Sequence, residues 1–460
     1  MRATRWPSSW KRSTHLAVGA TVLVGVAAVV AVTAVTAGGR QPDPQITAQP
    51  APVTVEPAVT PVASGAPAPT QAGLARALAE ALGDPNLGNL TGRITDANTG
   101  EELWSQRDDT PMQPASTNKS LTAAAALLTL DRDARLTTSV VEGARPGVVV
   151  LVGGGDPVLS AAAADEDTWY RDAARISDLA AGVRESGVQV TAVQVDISLF
   201  TGPDMAPGWD PADIDGGDIA PIQSVMLDGG RTQPTSFDSR RSRTPALDAG
   251  QALAAALRVD PATVTLAAGP QRGRELASVQ SAPLMERLRQ MMGASDNVMA
   301  ETIGREVAAA TGRPLSFAGA ADAVLDELRG IDIDLAGARL FDSSGLSIDD
   351  RLTARTLDEV VGAAAGPDHP RLRPLLDLLP VAGGSGTLSN RYSDDVTGSA
   401  AGWLRAKTGS LTGTNTLAGV LTDASGRVLT FAFISNDAGP TGRVALDVLA
   451  ATLRACGCDK

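Results

Sequence analysis

Apolar residues divide the chain into an N-terminal segment and a long folded body. The run from Leu16 to Ala37 is apolar apart from glycine and threonine, and four basic residues precede it within the first twelve positions. Hydrophobic regions of secretory signals are usually ~7–15 residues long, whereas ~20 apolar residues can span a bilayer. The pattern therefore predicts a signal peptide or an uncleaved signal anchor over residues 1–39, with the rest of the chain exported.

Prolines characterise the next stretch, residues 40–71. Eight of them are interspersed with alanine, threonine and valine. Such a sequence cannot bury a core and tends to polyproline II. We predict a semi-rigid linker that holds the folded body away from the membrane, and the alternative is an inert N-terminal stretch.

Helical and strand periodicities begin near Ala72. The pattern predicts a helix ending near Gly83, a β-hairpin over 90–95 and 101–106, and a helix after Pro114 with an apolar stripe. The stripe consists of Leu121, Ala124, Ala125 and Leu128.

The remaining chain shows two further patterns. Residues 132–283 mix strand-like and helical segments with glycine-rich turns, which predicts one or two inserted subdomains. The segments there are strands at 147–152, 188–197 and 262–267 and helices at 176–184 and 249–257. The C-terminal part predicts helices at 284–292, 297–310, 353–364 and 371–378, strands at 403–408, 416–422 and 427–435, and a last helix at 443–454. We therefore predict an α+β domain from 72–131 and 284–460, in which helices flank an antiparallel sheet with strands from both chain ends.

Composition narrows the possible partners. The chain is 43% hydrophobic and 20% charged, which is typical of a globular protein and excludes wholesale disorder. Its net charge of −13 and its aromatic content of 3% argue against nucleic acid as a partner, because such binding needs a basic surface and often stacking aromatics.

Histidine and cysteine are too scarce for several kinds of site. His369 is the one histidine outside the N-terminal segment, so neither a histidine-rich zinc site nor a Ser-His-Asp mechanism is expected. Cys456 and Cys458 are the only cysteines, and they are interpreted as terminal thiols or a local bridge. We expect no metal and no cofactor.

Lysine is rare in a chain that is rich in arginine. Only four of its 39 basic residues are lysine, and two of these, Lys11 and Lys460, lie near the ends. Lys119 and Lys407 remain for the body. An amine can lose its proton when it is buried, whereas a guanidinium cannot. The alternative explanation is compositional drift.

Lys119 lies three residues after Ser116, near the start of the helix that follows Pro114. Residues i and i+3 share a helix face, so the amine can lie beside the hydroxyl. A serine hydroxyl becomes a good nucleophile when a neighbouring base takes its proton. Ser-x-x-Lys alone is weak evidence, but it is compatible with a serine nucleophile and a lysine base.

Two further motifs follow in the chain. Ser295-Asp296-Asn297 lies on a turn between two predicted helices, and its structural alternative is a helix N-cap by Ser295. Lys407-Thr408-Gly409 ends a predicted strand, where a cation and a hydroxyl suit a carboxylate and a glycine lets a ligand approach. The amide of the next residue, Ser410, could join the Ser116 amide in an oxyanion hole. The three motifs in this order are strong evidence, because each body lysine falls into its own motif.

With these motifs the sequence resembles class C low-molecular-mass penicillin-binding proteins. These form the D-alanyl-D-alanine carboxypeptidase/endopeptidase family within the serine β-lactamase and penicillin-binding superfamily. The resemblance runs from about Ala72 to Ala438 and is weakest inside the insertion. The supporting segments are Pro114–Lys119, Gly153–Pro157, Asp342–Ser347, Leu379–Gly383, Gly386–Leu388 and Ala406–Gly413.

The resemblance implies a transpeptidase-like catalytic domain and a serine mechanism. Ser116 would attack the penultimate D-alanine carbonyl of a peptidoglycan stem peptide, with Lys119 as base. Ser295 would relay a proton to the departing amine. Water would then release the acyl-enzyme, and β-lactams would acylate Ser116 covalently.

The remaining motif residues would bind the substrate. Asn297 would orient the peptide amide, while Lys407 and Thr408 would hold the terminal carboxylate. Gly409 would allow close approach, and the Ser410 amide would contact the oxyanion. The enzyme would act outside the cytoplasm, anchored to the membrane through its N-terminal segment if that segment is uncleaved, or secreted to the cell wall.

Two other functions stay open. A β-lactamase of class A would need a glutamate for deacylation, and the chain has no Glu-x-x-Leu-Asn segment. A catalytically inactive wall-binding scaffold would rely on the anchor and linker alone. The sequence does not separate carboxypeptidase from endopeptidase action.

Overall fold

The structure is a computed structural model that describes residues 65–163, 165–236 and 238–456. In chain order its strands are β1 (Asn89–Asp96), β2 (Glu102–Gln106), β3 (Thr137–Glu142), β4 (Val148–Val152), β5 (Asp156–Leu159), β6 (Ala192–Asp196), β7 (Val225–Leu227), β8 (Thr265–Leu266), β9 (Glu275–Gln280), β10 (Leu404–Leu411), β11 (Thr414–Thr422) and β12 (Val428–Asn436). Its helices are α1 (Gln71–Leu82), α2 (Lys119–Thr129), α3 (Ile176–Glu185), α4 (Ala212–Gly216), α5 (Pro245–Ala256), α6 (Leu284–Ala294), α7 (Asn297–Ala310), α8 (Phe317–Arg329), α9 (Ala354–Ala365), α10 (Pro374–Leu378) and α11 (Gly442–Ala455).

The main sheet gathers strands from both chain ends. Its order is β10-β11-β12-β1-β2, and every neighbouring pair is antiparallel. In the register of β1 with β12, Ile94 lies opposite Phe431 and Gly92 opposite Phe433. The predicted α+β class with an antiparallel sheet is confirmed.

Successive side chains of β12 pack into two different buried clusters. Phe431 and Phe433 belong to one buried cluster with the leucines of α1 and α11, whereas Ala432 and Ile434 belong to another cluster with α2, α6, α7, α8 and α9. Successive side chains of a strand point to opposite faces, so both faces of this strand are covered by helices.

Helix α2 is more buried than its predicted apolar stripe implies. Its residues from Lys119 to Leu127 are all buried, including polar Ser120 and Thr122. Alanines at 123–126 leave room for neighbouring helices to approach on several sides. A lysine at the start of this helix is therefore placed inside the protein.

The segment 132–283 has a second five-stranded sheet, ordered β8-β6-β4-β3-β9. β4, β6 and β8 run parallel, while β3 is antiparallel to both β4 and β9. A separate buried cluster joins this sheet to α3 and α5. Because β3 and β9 are neighbours, the segment leaves and rejoins the chain at nearly the same place.

Most predicted elements are confirmed within a few residues, with exceptions in the inserted segment. The strand predicted at 262–267 is reduced to Thr265–Leu266, whose residues are exposed. The strands β3, β5, β7 and β9 and the helix α4 of this segment were not predicted, and neither was α8, which follows it. The exact bounds predicted for the domains stay a prediction.

The chain ends are described only in part. The predicted signal segment 1–39 lies outside the described residues, as do Cys458 and Lys460. Of the helices that the structure describes, none combines the length and apolarity needed to cross a bilayer. Cys456 is buried and disulfide-bonded, so it is not a free thiol.

Candidate active site

A tight turn presents Ser116 at the start of α2. Residues Ala115–Asn118 form one 3-10 turn, and Lys119 is the first residue of the α-helix. Ala115 is fully buried with a φ of 45°, a conformation that costs energy for a non-glycine residue. Thr416 of β11 donates to the Pro114 carbonyl at 2.9 Å, which holds the turn against the sheet.

Lys119 donates three hydrogen bonds from a fully buried amine. Its Nζ lies 2.8 Å from Ser116 Oγ, 2.5 Å from Asn297 Oδ1 and 2.8 Å from the Ser344 carbonyl. The predicted proximity of hydroxyl and amine is thus present in the structure.

Burial sets the protonation behaviour of Lys119. It lowers the pKa of the amine to about 8, because loss of hydration outweighs the opposing charges of Asp342, Glu301, Asp296 and Asp218. The neutral amine is therefore a minor form near neutral pH and becomes the major form above about 8.

The Ser-x-Asn motif joins α6 to α7. Ser295 ends α6 in the left-handed region, with a φ of 57°. Asp296 is the N-cap of α7 and accepts from the Met299 amide at 2.9 Å, so the alternative that Ser295 caps this helix is wrong. Asn297 links Lys119 to the inserted segment, because its Oδ1 accepts from Lys119 while its Nδ2 donates to the Asp218 carbonyl at 3.0 Å.

Lys407 occupies a buried position on edge strand β10. Its Nζ donates to Ser295 Oγ at 2.8 Å and to the Thr408 carbonyl at 2.7 Å. Burial, and then the charge of Lys119, lower the pKa of Lys407 well below its usual range. The two body lysines therefore meet at the Ser-x-Asn turn, where Lys119 contacts Asn297 and Lys407 contacts Ser295.

Gly409 allows β10 to lie against the turn Ala115–Asn118. A Cβ at this position would lie 2.9 Å from the Ser116 amide nitrogen and 2.1 Å from Thr416 Oγ1. Thr408 shares a hydrogen bond of 2.8 Å with Thr387, which lies in the predicted segment Gly386–Leu388.

These groups border a cleft of about 1460 Å³. The predicted site residues that line it are Ser116, Ser295, Asn297, Thr408 and Ser410. The inserted segment contributes Trp169, Gly208, Asp210, Asp213 and Asp218. The C-terminal region contributes Arg391, which is paired with Asp447, and Arg443. Acidic side chains from the insertion and basic side chains from the catalytic domain thus share one cleft.

Sequence reasoning missed two sets of contacts. The loop 342–347 touches Lys119 through Ser344, and the insertion touches Asn297 through Asp218. In the loop, an aspartate is followed by serines and a glycine, which is typical of a turn held by the aspartate side chain. This pattern could have predicted the turn. The backbone contact from Asp218 has no sequence signal.

An antiparallel sheet flanked by helices, with the three motifs meeting beside its edge strand, defines a serine enzyme of the penicillin-binding and β-lactamase class. The D-Ala-D-Ala carboxypeptidase 3 (S13) family matches residues 74–239 and 234–453. The N-terminal domain of the carboxypeptidase Rv3627c-like family matches residues 1–61. The chain therefore belongs to the D-Ala-D-Ala carboxypeptidase 3 (S13) family, and it is a serine-type carboxypeptidase of this class.

Similar proteins span nearly the whole chain. Carboxypeptidase DacB of Mycolicibacterium smegmatis is 66% identical over 456 residues, covering 98% of this chain and 99% of that protein. Carboxypeptidase Rv3627c of Mycobacterium tuberculosis is 64% identical over 461 residues, with the same coverage. The crystal structure of penicillin-binding protein 4 of Haemophilus influenzae matches with a TM-score of 0.67 and 23% identity, covering 83% of this chain and 98% of that one, which supports the fold.

Proposed function

We propose that this chain removes the terminal D-alanine from peptidoglycan stem peptides through an acyl-enzyme on Ser116. The observation that carries the proposal is the 2.8 Å contact between Ser116 Oγ and the buried amine of Lys119. Ser116 Oγ attacks the carbonyl carbon of the penultimate D-alanine, and its proton passes to the neutral amine. The amides of Ser116 and Ser410 hold the oxyanion.

Breakdown of the tetrahedral intermediate needs a proton on the leaving amine. Ser295 Oγ is the proposed relay, because Lys407 donates to it and its side chain lines the cleft. The proton that Lys119 took from Ser116 passes through Ser295 to the leaving amine as the C–N bond breaks, and free D-alanine leaves. The neutral Lys119 then takes a proton from water as the water attacks the ester, and returns it to Ser116 Oγ when the ester breaks. The same nucleophile would open a β-lactam ring and remain acylated.

Substrate contacts follow from Asn297 and Thr408, which line the cleft beside Ser116. Asn297 Nδ2 would donate to the peptide carbonyl once it releases the Asp218 carbonyl. Thr408 would bind the terminal carboxylate, and Lys407 would act from behind it through its charge and through Ser295. Gly409 supplies the space for this approach.

A fluorescent penicillin tests the nucleophile. The parent protein is expected to carry one penicillin on a peptide containing Ser116, as seen by intact-mass and peptide mass spectrometry. Ser116→Ala is expected to carry none. Equal labelling of both proteins would overturn the assignment.

Defined muropeptides separate the possible reactions. Loss of one D-alanine from a monomeric pentapeptide marks carboxypeptidase action, and cleavage of a cross-linked dimer marks endopeptidase action. Rapid penicillin hydrolysis without either product would instead identify a β-lactamase. Absence of both penicillin labelling and peptide turnover would favour the inactive scaffold.

The proposed reaction takes place outside the cytoplasm, where peptidoglycan lies. We also propose that residues 1–39 export the chain, and that they anchor it if they are retained. The support is the apolar run from Leu16 to Ala37 with its basic flank. Sequencing the N-terminus of the mature protein and measuring how the protein divides between membrane and soluble fractions test the anchor. A protein that keeps residues 1–39 and is found in the membrane fraction supports it.

A further inference from the structure

A loop outside the three motifs contributes one of the three acceptors of Lys119. The Ser344 carbonyl lies 2.8 Å from Nζ, although 225 positions separate the two residues. Ser344 is fully buried. The amine is therefore held by the nucleophile, by Asn297 and by this loop.

These acceptors control the direction in which the neutral amine can accept a proton. A neutral amine has two N–H donors and one lone pair. If Asn297 Oδ1 and the Ser344 carbonyl each take an N–H, the lone pair points at Ser116 Oγ, the third neighbour. Loss of the Ser344 carbonyl would let the amine rotate and would lower the fraction that is aimed at the nucleophile.

The loop is built around one buried carboxylate, Asp342. Its Oδ1 accepts from the amides of Ser344 at 3.0 Å and Gly345 at 2.6 Å, and its Oδ2 accepts from the Ser347 amide at 2.7 Å. Charge-assisted hydrogen bonds of this kind are about twice as strong as neutral ones. The position of the Ser344 carbonyl thus depends on Asp342.

The inserted segment supplies the fourth donor to that carboxylate. Trp209 Nε1 donates to Asp342 Oδ2 at 2.7 Å, and Ser347 Oγ donates to the Pro207 carbonyl at 2.8 Å. The approach is close, because a Cβ at Gly208 would lie 2.5 Å from Ser347 Oγ. Trp209 is also fixed by an edge-to-face contact with Phe317, with the ring centroids 5.0 Å apart.

We propose that Trp209 and Asp342 are positioning residues for the general base, so that the inserted segment helps to aim Lys119 at Ser116. This inference rests on the proposed function of Ser116 and Lys119 and extends it to a segment outside the catalytic motifs. Neither residue touches the substrate in this account. Both act through the Ser344 carbonyl.

Trp209→Phe tests the hydrogen bond while it keeps an aromatic ring against Phe317. The matched control is Trp104→Phe, because Trp104 packs edge-to-face on Phe433 in the core on the other side of the sheet. Penicillin acylation is measured as a first-order rate per titratable active site, so that partial unfolding does not affect the constant. We expect Trp209→Phe to slow acylation about tenfold, the equivalent of roughly one hydrogen bond, and Trp104→Phe to stay within about twofold of the parent.

Asp342→Asn adds a readout that a merely structural role would not move. The carboxyl groups around Lys119 are those of Asp342, Glu301, Asp296 and Asp218. Burial and then Asp342 raise the pKa of Glu301 to about 8, and burial lowers the pKa of the neighbouring Lys407 well below its usual value. Asp350, whose pKa is raised well above its usual value by burial and then by Asp342, faces the same carboxylate. Removing the Asp342 charge makes the ammonium less stable, so the pH of half-maximal acylation should fall below that of the parent.

The outcomes separate this inference from the proposed function. If the parent is acylated and Trp209→Phe is acylated at the same rate as Trp104→Phe, the positioning role is overturned. An unchanged or higher half-maximal pH in Asp342→Asn does the same. A parent that is not acylated on Ser116 overturns the proposed function, and this inference falls with it.

Discussion

At the residue scale, Lys119 and Lys407 lack carboxylate partners among the described residues, and they bond only to neutral acceptors. Arginines make the ion pairs instead, for example Arg391 with Asp447 and Arg427 with Asp96. A carboxylate beside a buried lysine would hold it as a cation, whereas neutral acceptors allow it to exchange a proton. The scarcity of lysine in the composition therefore pointed to the two buried amines that meet in the proposed site.

The pH dependence of acylation follows from the state of Lys119. In the proposed mechanism the base is the neutral amine, and burial lowers the pKa of Lys119 to about 8. Acylation should therefore rise with pH through about 8 and level off above it. Stopped-flow labelling between about pH 6 and about pH 10 checks this. A rate that falls over that range would contradict the base assignment.

Replacing the amine tests the same residue without a larger side chain. Lys119→Met keeps the length of a fully buried side chain and removes the proton acceptor. We expect acylation to fall by ~10³-fold while the thermal midpoint changes little, since general-base contributions are commonly ~10²–10⁴. Acylation near the parent rate in a folded Lys119→Met protein would exclude the role.

At the element scale, local pattern was enough for the elements that form the main sheet and for most helices beside it. The antiparallel strands β10, β11 and β12 were predicted as apolar runs between turns, and the helices α6, α7 and α9 because each buries an apolar face. Helix α8 was missed because alanines at 318, 320, 321 and 323 dilute its apolar face. β9 was missed because its residues are exposed or half-buried, which leaves no alternation to detect.

The site depends on contacts between elements that are far apart in sequence. The motifs predicted which residues would meet, but not that Ser344 and Asp218 would join them. Those contacts are made by backbone carbonyls, which every residue carries and no sequence pattern marks. Only the folded structure shows that the Ser344 carbonyl contacts Lys119 and the Asp218 carbonyl contacts Asn297.

Gly345 tests how tightly the loop 342–347 packs on the turn Ala115–Asn118. A Cβ there would lie 1.9 Å from the Ala115 carbonyl oxygen, and φ is +79°. Gly413 is the matched control, because its φ is +69° with nothing within 4 Å. We expect Gly413→Ala to cost about 1 kcal/mol of unfolding free energy from the left-handed backbone alone. Gly345→Ala should cost about 4 kcal/mol and slow acylation as well. If chemical denaturation gives the same loss of unfolding free energy for Gly345→Ala and Gly413→Ala, the loop moves away from the turn at little cost.

At the scale of the whole molecule, the inserted segment shapes the cleft that holds the motifs. It lines the cleft with Trp169 and three aspartates, and it reaches Asn297 and Asp342 directly. The segmentation into an inserted region within a catalytic domain stays a prediction from changes in pattern along the chain. Its involvement in the site could not be predicted, because it depends on how the segment folds back over the cleft.

Intact-mass spectrometry during turnover of a peptide ending in D-alanyl-D-alanine tests the central claim most directly. The account predicts release of one D-alanine per peptide, with a transient acyl-enzyme on Ser116 that acid quenching traps. It also predicts that Ser116→Ala releases no D-alanine and carries no adduct. Release of D-alanine by Ser116→Ala, or an adduct on another residue, would contradict it.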